Sequence, residues 1–191
     1  QAIHEMAKQA SGDAKQVASV SFPNLNYTYL QDQATNWGKV VTSSSSGQTF
    51  AFNTLGGNKV IWIKGDLTNP TITIGGTYAA GGTFLVDGNL ILSSGATTLG
   101  ADGYPVNFVV KGDVNHTGGD LTLYGSIYAG GNFNHKSCTV IGPVVVSKYI
   151  NNNALGLCNF TAGAIPWFDN RVLPQPPVLP LYTSGHKGNG P

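Results

Sequence analysis

A mainly β fold, a parallel β-solenoid (β-helix) of about five rungs with an N-terminal helix and a short helical cap, is predicted by three observations. Short apolar strands recur, each followed by Gly-Asp or Gly-Asn: "VIWIKGDLT" from Val60, "FLVDGNLIL" from Phe84, "FVVKGDVNH" from Phe108 and "IYAGGNFNH" from Ile127. The glycines of these pairs, Gly65, Gly88, Gly112 and Gly131, come at nearly even intervals, the last one the shortest. Finally, 26 of 191 residues are glycine and only 10% are charged, against about 25% in an average domain. Many short strands joined by tight turns suit such a composition. One rung cannot bury its inward face alone, but stacked rungs can, with equivalent residues forming columns about 4.8 Å apart.

The elements follow in order. Residues 1–20 read as an N-terminal helix, with Ile3, Met6, Ala10, Ala14 and Val17 at helical spacing. Residues 21–165 read as the solenoid domain with its helical cap. In the cap, Leu25, Tyr29, Leu30, Ala34 and Trp37 can line one face of a short helix that stops at Gly38. "TSSSSGQ" at 42–48 reads as a flexible polar loop. Each later unit adds a second strand, "TITIGG", "ATTLG", "LTLYG" and "TVIG", ending at Gly75, Gly100, Gly125 and Gly142. A fifth unit, "VVVSKYINNN" from Val144, keeps the strand and lacks the glycine. Glycine at the corners is expected to supply positive φ or a bulge. The Asp or Asn behind it is expected to bond its own turn. Two columns should result: Asp66, Asn89, Asp113 and Asn132, and the sign-alternating Lys64, Asp87 and Lys111. Residues 166–191 are rich in proline and read as an extended tail packed along the wall or over the last rung.

Charge and cysteine usage narrow the function. A net charge of +1 argues against broad electrostatic capture of nucleic acid or anionic membrane. No apolar run approaches the roughly 18 residues that span a bilayer, and no signal peptide is visible. The two cysteines, Cys138 and Cys158, are separated by close to one rung, a spacing unlike a CxxC zinc motif. Stacked rungs bring equivalent Cα atoms to about 5 Å, within disulfide reach. A Cys138–Cys158 bond is therefore expected, in a chain displayed outside the cytosol.

Candidate sites are few. Asn115-His116 and Asn134-His135 lie one unit apart and should stack. Two histidines one rung apart could hold a transition metal, with Asn or water completing the shell. The plainer reading is a ladder of polar side chains on the outer wall, preferred because no third His, Asp or Glu joins the column. Asp66, Asp87, Asp102, Asp113 and Asp120 are scattered over several rungs, mostly at turns, and form no catalytic pair. No GxSxG, P-loop or dinucleotide fingerprint occurs. The chain is read as a non-enzyme that needs no small-molecule cofactor. Trp62, Tyr78, Tyr104, Tyr124 and Tyr128 lie in or beside rungs. An outward row of them, flanked by Lys111, Lys136 and Lys148, would make a platform for sugar rings or bases, hence a module binding DNA or polysaccharide. Sequons at Asn26, Asn115 and Asn159 matter only if the source glycosylates them. The Thr-x-Thr repeats are too few to support ice binding.

The strand–Gly–Asp/Asn repeat, preceded by "FPNLNYTYLQDQA" and followed by one late cysteine pair, resembles minor pilin-like and pilus-assembly-associated proteins of the type IV pilus system. These are bacterial surface proteins that carry a β-solenoid head. The resemblance spans roughly residues 20–165. It implies a hydrophobic N-terminal helix that enters the filament, of which "QAIHEMAKQASGDAKQVASV" would be the later part. It also implies an extracellular structural or adhesive role, with other filament subunits as partners. Bactofilins share the Gly-Asp rung style, which keeps self-association into filaments as a rival expectation.

Overall fold

The computed structural model describes residues 25–74, 80–152 and 158–161. The expected helix over 1–20, Tyr78 and the proline-rich tail lie outside the described residues. Within them the chain winds as a β-solenoid of about five turns, and every strand pairing is parallel.

Each rung has three strands. The first holds β1 (Lys39–Val41), β2 (Ser45–Ser46) and β3 (Thr49–Ala51). The second holds β4 (Val60–Ile63), β5 (Leu67–Thr68) and β6 (Thr71–Thr73). The third holds β7 (Gly82–Val86), β8 (Leu90–Leu92) and β9 (Thr97–Leu99), and the fourth β10 (Val106–Val110), β11 (Val114–His116) and β12 (Leu121–Tyr124). The fifth holds β13 (Ile127–Ala129), β14 (Phe133–His135) and β15 (Cys138–Ile141). The last holds β16 (Val144–Val146), β17 (Ile150–Asn152) and β18 (Cys158–Thr161). Two faces are six strands deep, β1-β4-β7-β10-β13-β16 and β2-β5-β8-β11-β14-β17; the third is divided into β3-β6 and β9-β12-β15-β18.

The expected two strands per unit are thus three. The extra strand, β5, β8, β11 or β14, directly follows the Gly-Asx corner and is very short, as in Leu67–Thr68 and Leu90–Leu92. At that length period-two alternation cannot be distinguished from a turn. The polar stretch 42–48 is likewise no free loop. Its β2 opens the second sheet, with the Ser45 N–H bonded to the Asp66 carbonyl at 2.8 Å and the Gly47 N–H to the Thr68 carbonyl at 2.9 Å. Ser45 occupies the inward position that Leu67 and Leu90 fill above it. Backbone pairing with the next rung, rather than side-chain hydrophobicity, holds this segment.

The core is a set of columns. Ile61, Phe84, Phe108, Ile127 and Val144 are successive register partners, as are Leu67, Leu90, Val114, Phe133 and Ile150. The Phe84 and Phe108 rings stack 5.3 Å apart and 6° from parallel, while Phe50 and Phe52 meet Phe84 edge-on. Each fully buried Phe contributes about 1.5–3 kcal/mol in transfer free energy.

The outward column of the first sheet is also apolar: Val40, Trp62, Leu85, Val109, Tyr128 and Val145. The reason is α1 (Tyr27–Asn36), which lies on this wall and buries Leu30 and Ala34 against it. Asn26 starts the helix by accepting the Tyr29 N–H at 3.0 Å. Leu25, Leu30 and Ala34 face the solenoid as expected, but Trp37 does not: it follows the last helical residue and is 61% exposed.

The two glycine columns exist for different reasons. Gly100, Gly125 and Gly142 end strands of the third face with φ of 81°, 145° and 148°, where a Cβ is strongly disfavoured. Gly88, Gly112 and Gly131 need no positive φ, contrary to expectation. A Cβ on any of them would collide with the side-chain oxygen of Asp66, Asn89 or Asp113 one rung below. Those oxygens do not bond their own turn either. They accept the N–H groups of Asn89, Asp113 and Asn132 in the next rung, at 2.7, 2.8 and 2.7 Å.

Candidate functional site

The chemistry-bearing residues concentrate where the second and third faces meet, in the last three rungs. Along β11, Val114 points inward, so Asn115 points outward and His116 inward. The same parity runs through Phe133, Asn134 and His135 of β14.

The outer-wall ladder is therefore asparagine. Asn134 donates from Nδ2 to Asn115 Oδ1 at 2.7 Å, and Asn151 donates to Asn134 Oδ1 at 2.8 Å. The histidines lie inside instead, His116 2% and His135 6% exposed, which corrects their placement on the outer wall. The parity of Val114 and Phe133 is the sequence signal for it.

The two imidazoles are held differently. His116 Nε2 lies 2.6 Å from the Gly119 carbonyl and so carries the proton, while its buried Nδ1 meets no partner among the described residues. Burial holds its pKa below the usual histidine value, partly opposed by the Gly119 bond, with His135 and Lys136 adding to the lowering. His135 uses the other nitrogen: Nδ1 lies 2.8 Å from the Lys136 carbonyl. A ring nitrogen facing a carbonyl must donate, so in the neutral ring Nε2 of His135 is the lone-pair nitrogen.

Beside His135 lies the disulfide. Cys138 and Cys158 are register partners in β15 and β18, with Cα atoms 4.3 Å apart, and they are bonded. One ring nitrogen of His135 and the two sulfurs all lie within 4.8 Å of one another. In sequence the histidines and the cysteines read as separate features. The spacing of "HKSC" is visible there, but an outer-wall position for His135 conceals its meaning.

Among the described residues the expected aromatic and basic side chains do not form a platform. Trp62 and Tyr128 share an outward column, yet Tyr128 packs in the cluster under α1 and Trp62 borders it. The Trp62 indole donates to Asp87 Oδ2 at 2.9 Å, and Lys64 Nζ sits 4.3 Å over its ring. Tyr124 is half-buried at the end of β12, on a different face. Lys111 pairs with Asp87 at 2.5 Å and lies over the Tyr27 ring. Lys148 is exposed at that same corner, whereas Lys136 stands at the next one, between β14 and β15. Burial, with Tyr128 beside it, pushes the Tyr27 hydroxyl up to about 12. Two sequon amides are already engaged, Asn26 in the helix cap and Asn115 in the ladder; Asn159 is exposed.

Among the described residues no helix is long and apolar enough to cross a membrane. No protein-family model, curated protein or solved structure matches this chain.

Proposed function

We propose that the chain is a non-catalytic structural or adhesive component of a bacterial surface filament of the type IV pilus class, displayed outside the cell. The observation that carries this reading is the Cys138–Cys158 disulfide between paired strands of the last rungs. Such a bond persists in oxidising compartments and staples the place where the repeat decays. The wall supports the same role. Three of its carboxylates hold rungs together: Asp66 and Asp113 accept backbone amides of the next rung, and Asp87 ties Trp62 to Lys111. A stack braced this way is a rigid spacer. The pilus class itself rests on the resemblance of the repeat, the "FPNLNYTYLQDQA" stretch and the cysteine pair, with other filament subunits as the implied partners.

An epitope inserted between Ser94 and Gly95, in an exposed turn, tests this in the source bacterium. The tagged chain should be released with sheared surface filaments and contain no free thiols after denaturation without reductant. Retention in the cytosolic fraction with both thiols free would overturn the proposal.

A further inference from the structure

We infer that Cys138, Cys158 and His135 form a second, mutually exclusive staple: a zinc-class metal site that exists when the disulfide is reduced. Three observations carry it. One ring nitrogen of His135 and the two sulfurs already lie within 4.8 Å of one another, with His135 and Cys138 buried and Cys158 half-buried. The Nδ1–H of His135 is fixed on the Lys136 carbonyl, which presents Nε2 as a ligand in the way that outer carbonyls orient metal-bound imidazoles. Finally, the sulfurs are carried by register partners whose Cα separation is set by the parallel ladder, so cutting the S–S bond leaves the two side chains facing one another.

The chemistry balances with a named reductant. A dithiol supplies two electrons and two protons by thiol–disulfide exchange; the Cys138–Cys158 bond breaks and the dithiol closes to its cyclic disulfide. The two new thiols then lose their protons to solvent as the cation binds two thiolates and the Nε2 lone pair. Tetrahedral coordination with bonds of about 2.3 Å to sulfur and about 2.0 Å to nitrogen needs sulfurs only about 3.8 Å apart. A rotation about the Cys Cα–Cβ bonds provides that without moving the strands. Water would take the fourth position on the Cys158 side. Two thiolates and one imidazole favour Zn²⁺ over harder cations. The site would exist whether or not the chain belongs to a surface filament.

The test uses the full chain, reduced and handled without oxygen, titrated with Co²⁺ as a spectroscopic stand-in for Zn²⁺. One equivalent should produce a thiolate-to-cobalt charge-transfer band, which Zn²⁺ then bleaches. The disulfide form should give no band. Zn²⁺ should also protect both thiols of the reduced chain from alkylation. His135→Gln keeps the bulk and a donor for the Lys136 carbonyl but removes the imidazole, and should weaken Co²⁺ binding by at least about tenfold. No band, or unchanged alkylation in the presence of Zn²⁺, overturns the proposal. So does undiminished affinity in a His135→Gln chain that still reforms its disulfide on reoxidation. If that variant does not fold, the alkylation of the unsubstituted chain decides alone.

Discussion

The side-chain oxygen of Asp66 accepts the backbone N–H of Asn89, one rung further along the chain, at 2.7 Å. Asn89 repeats the service for Asp113, and Asp113 for Asn132. Corner amides that no strand could pair are satisfied from the rung below. This is why the chain keeps an acceptor side chain at that position, and why Asp and Asn alternate there. Asn89 Nδ2 also donates to Asp66 Oδ1 at 3.2 Å, which a second carboxylate could not do.

Asn89→Ala should therefore lower stability by about 1–3 kcal/mol, the cost of leaving the Asp113 amide without its acceptor. Asn89→Asp keeps the acceptor but stacks carboxylates on three successive rungs. Its penalty should be present at neutral pH and shrink as acidification neutralises the column. Urea unfolding midpoints of the two variants against pH separate these effects. Equal, pH-independent losses would contradict the ladder's role.

Gly112→Ala and Gly95→Ala make a second comparison. A Cβ at Gly112 would strike Asn89 Oδ1 and the Gly88 carbonyl, whereas one at Gly95 meets nothing. The first substitution should cost more than about 2 kcal/mol by displacing the ladder oxygen. The second should be neutral, or stabilise by about 0.4–1 kcal/mol through the unfolded chain. Thermal melts of both decide it.

His116 predicts an acid-sensitive rung. Its folded-state pKa lies below the ordinary histidine value because of burial. The unfolded chain then binds the extra proton first. The stabilisation is present above the unfolded pKa of about 6.5 and is lost as pH falls through the lower folded value. The slope of unfolding free energy against pH in that window should diminish in His116→Gln. A slope unaffected by the substitution would assign it to other groups.

Tyr27 predicts the opposite limb. Its hydroxyl is raised from 10.0 to about 12 by burial and by Tyr128. The contribution is intact below the unfolded value of about 10 and is lost as pH rises towards about 12. Alkaline titration should loosen α1 from the first sheet, read as amide exchange at Leu30 and Ala34 rising faster than its intrinsic base-catalysed rate, and Tyr27→Phe should remove that excess. Because the ring is only partly buried, the effect concerns docking of this helix rather than global unfolding.

Reduction without metal should expose the end of the stack first. Removing a bond that closes a loop of this length costs about 3 kcal/mol in the chain-entropy model. Amide exchange should rise in β15 and β18 while β7 and β10, flanked on both sides by neighbouring strands, stay protected. Uniform loss of protection would mean that the solenoid unfolds as one unit.

The repeat of strand, glycine and Asx determined the solenoid, its stacking axis and the columns Asp66–Asn132 and Lys64–Lys111, because parallel stacking makes residues one rung apart neighbours whatever the details of the corner. It also determined the Cys138–Cys158 bond, since their spacing is one rung. Only the tertiary structure decided the number of faces. Strands as short as Leu67–Thr68 carry no periodicity of their own and exist through the rungs above and below. It decided, too, why Gly88 must be glycine, because the atom that excludes a Cβ belongs to Asp66, in the rung below. The covering of Trp62 and Tyr128 was equally out of reach: an outward apolar column and an exposed platform look alike until α1 is placed on the wall. The meeting of His135 with the cysteines depended on the same kind of information, the inward parity of β14 and the turn that carries the chain from one face to the next.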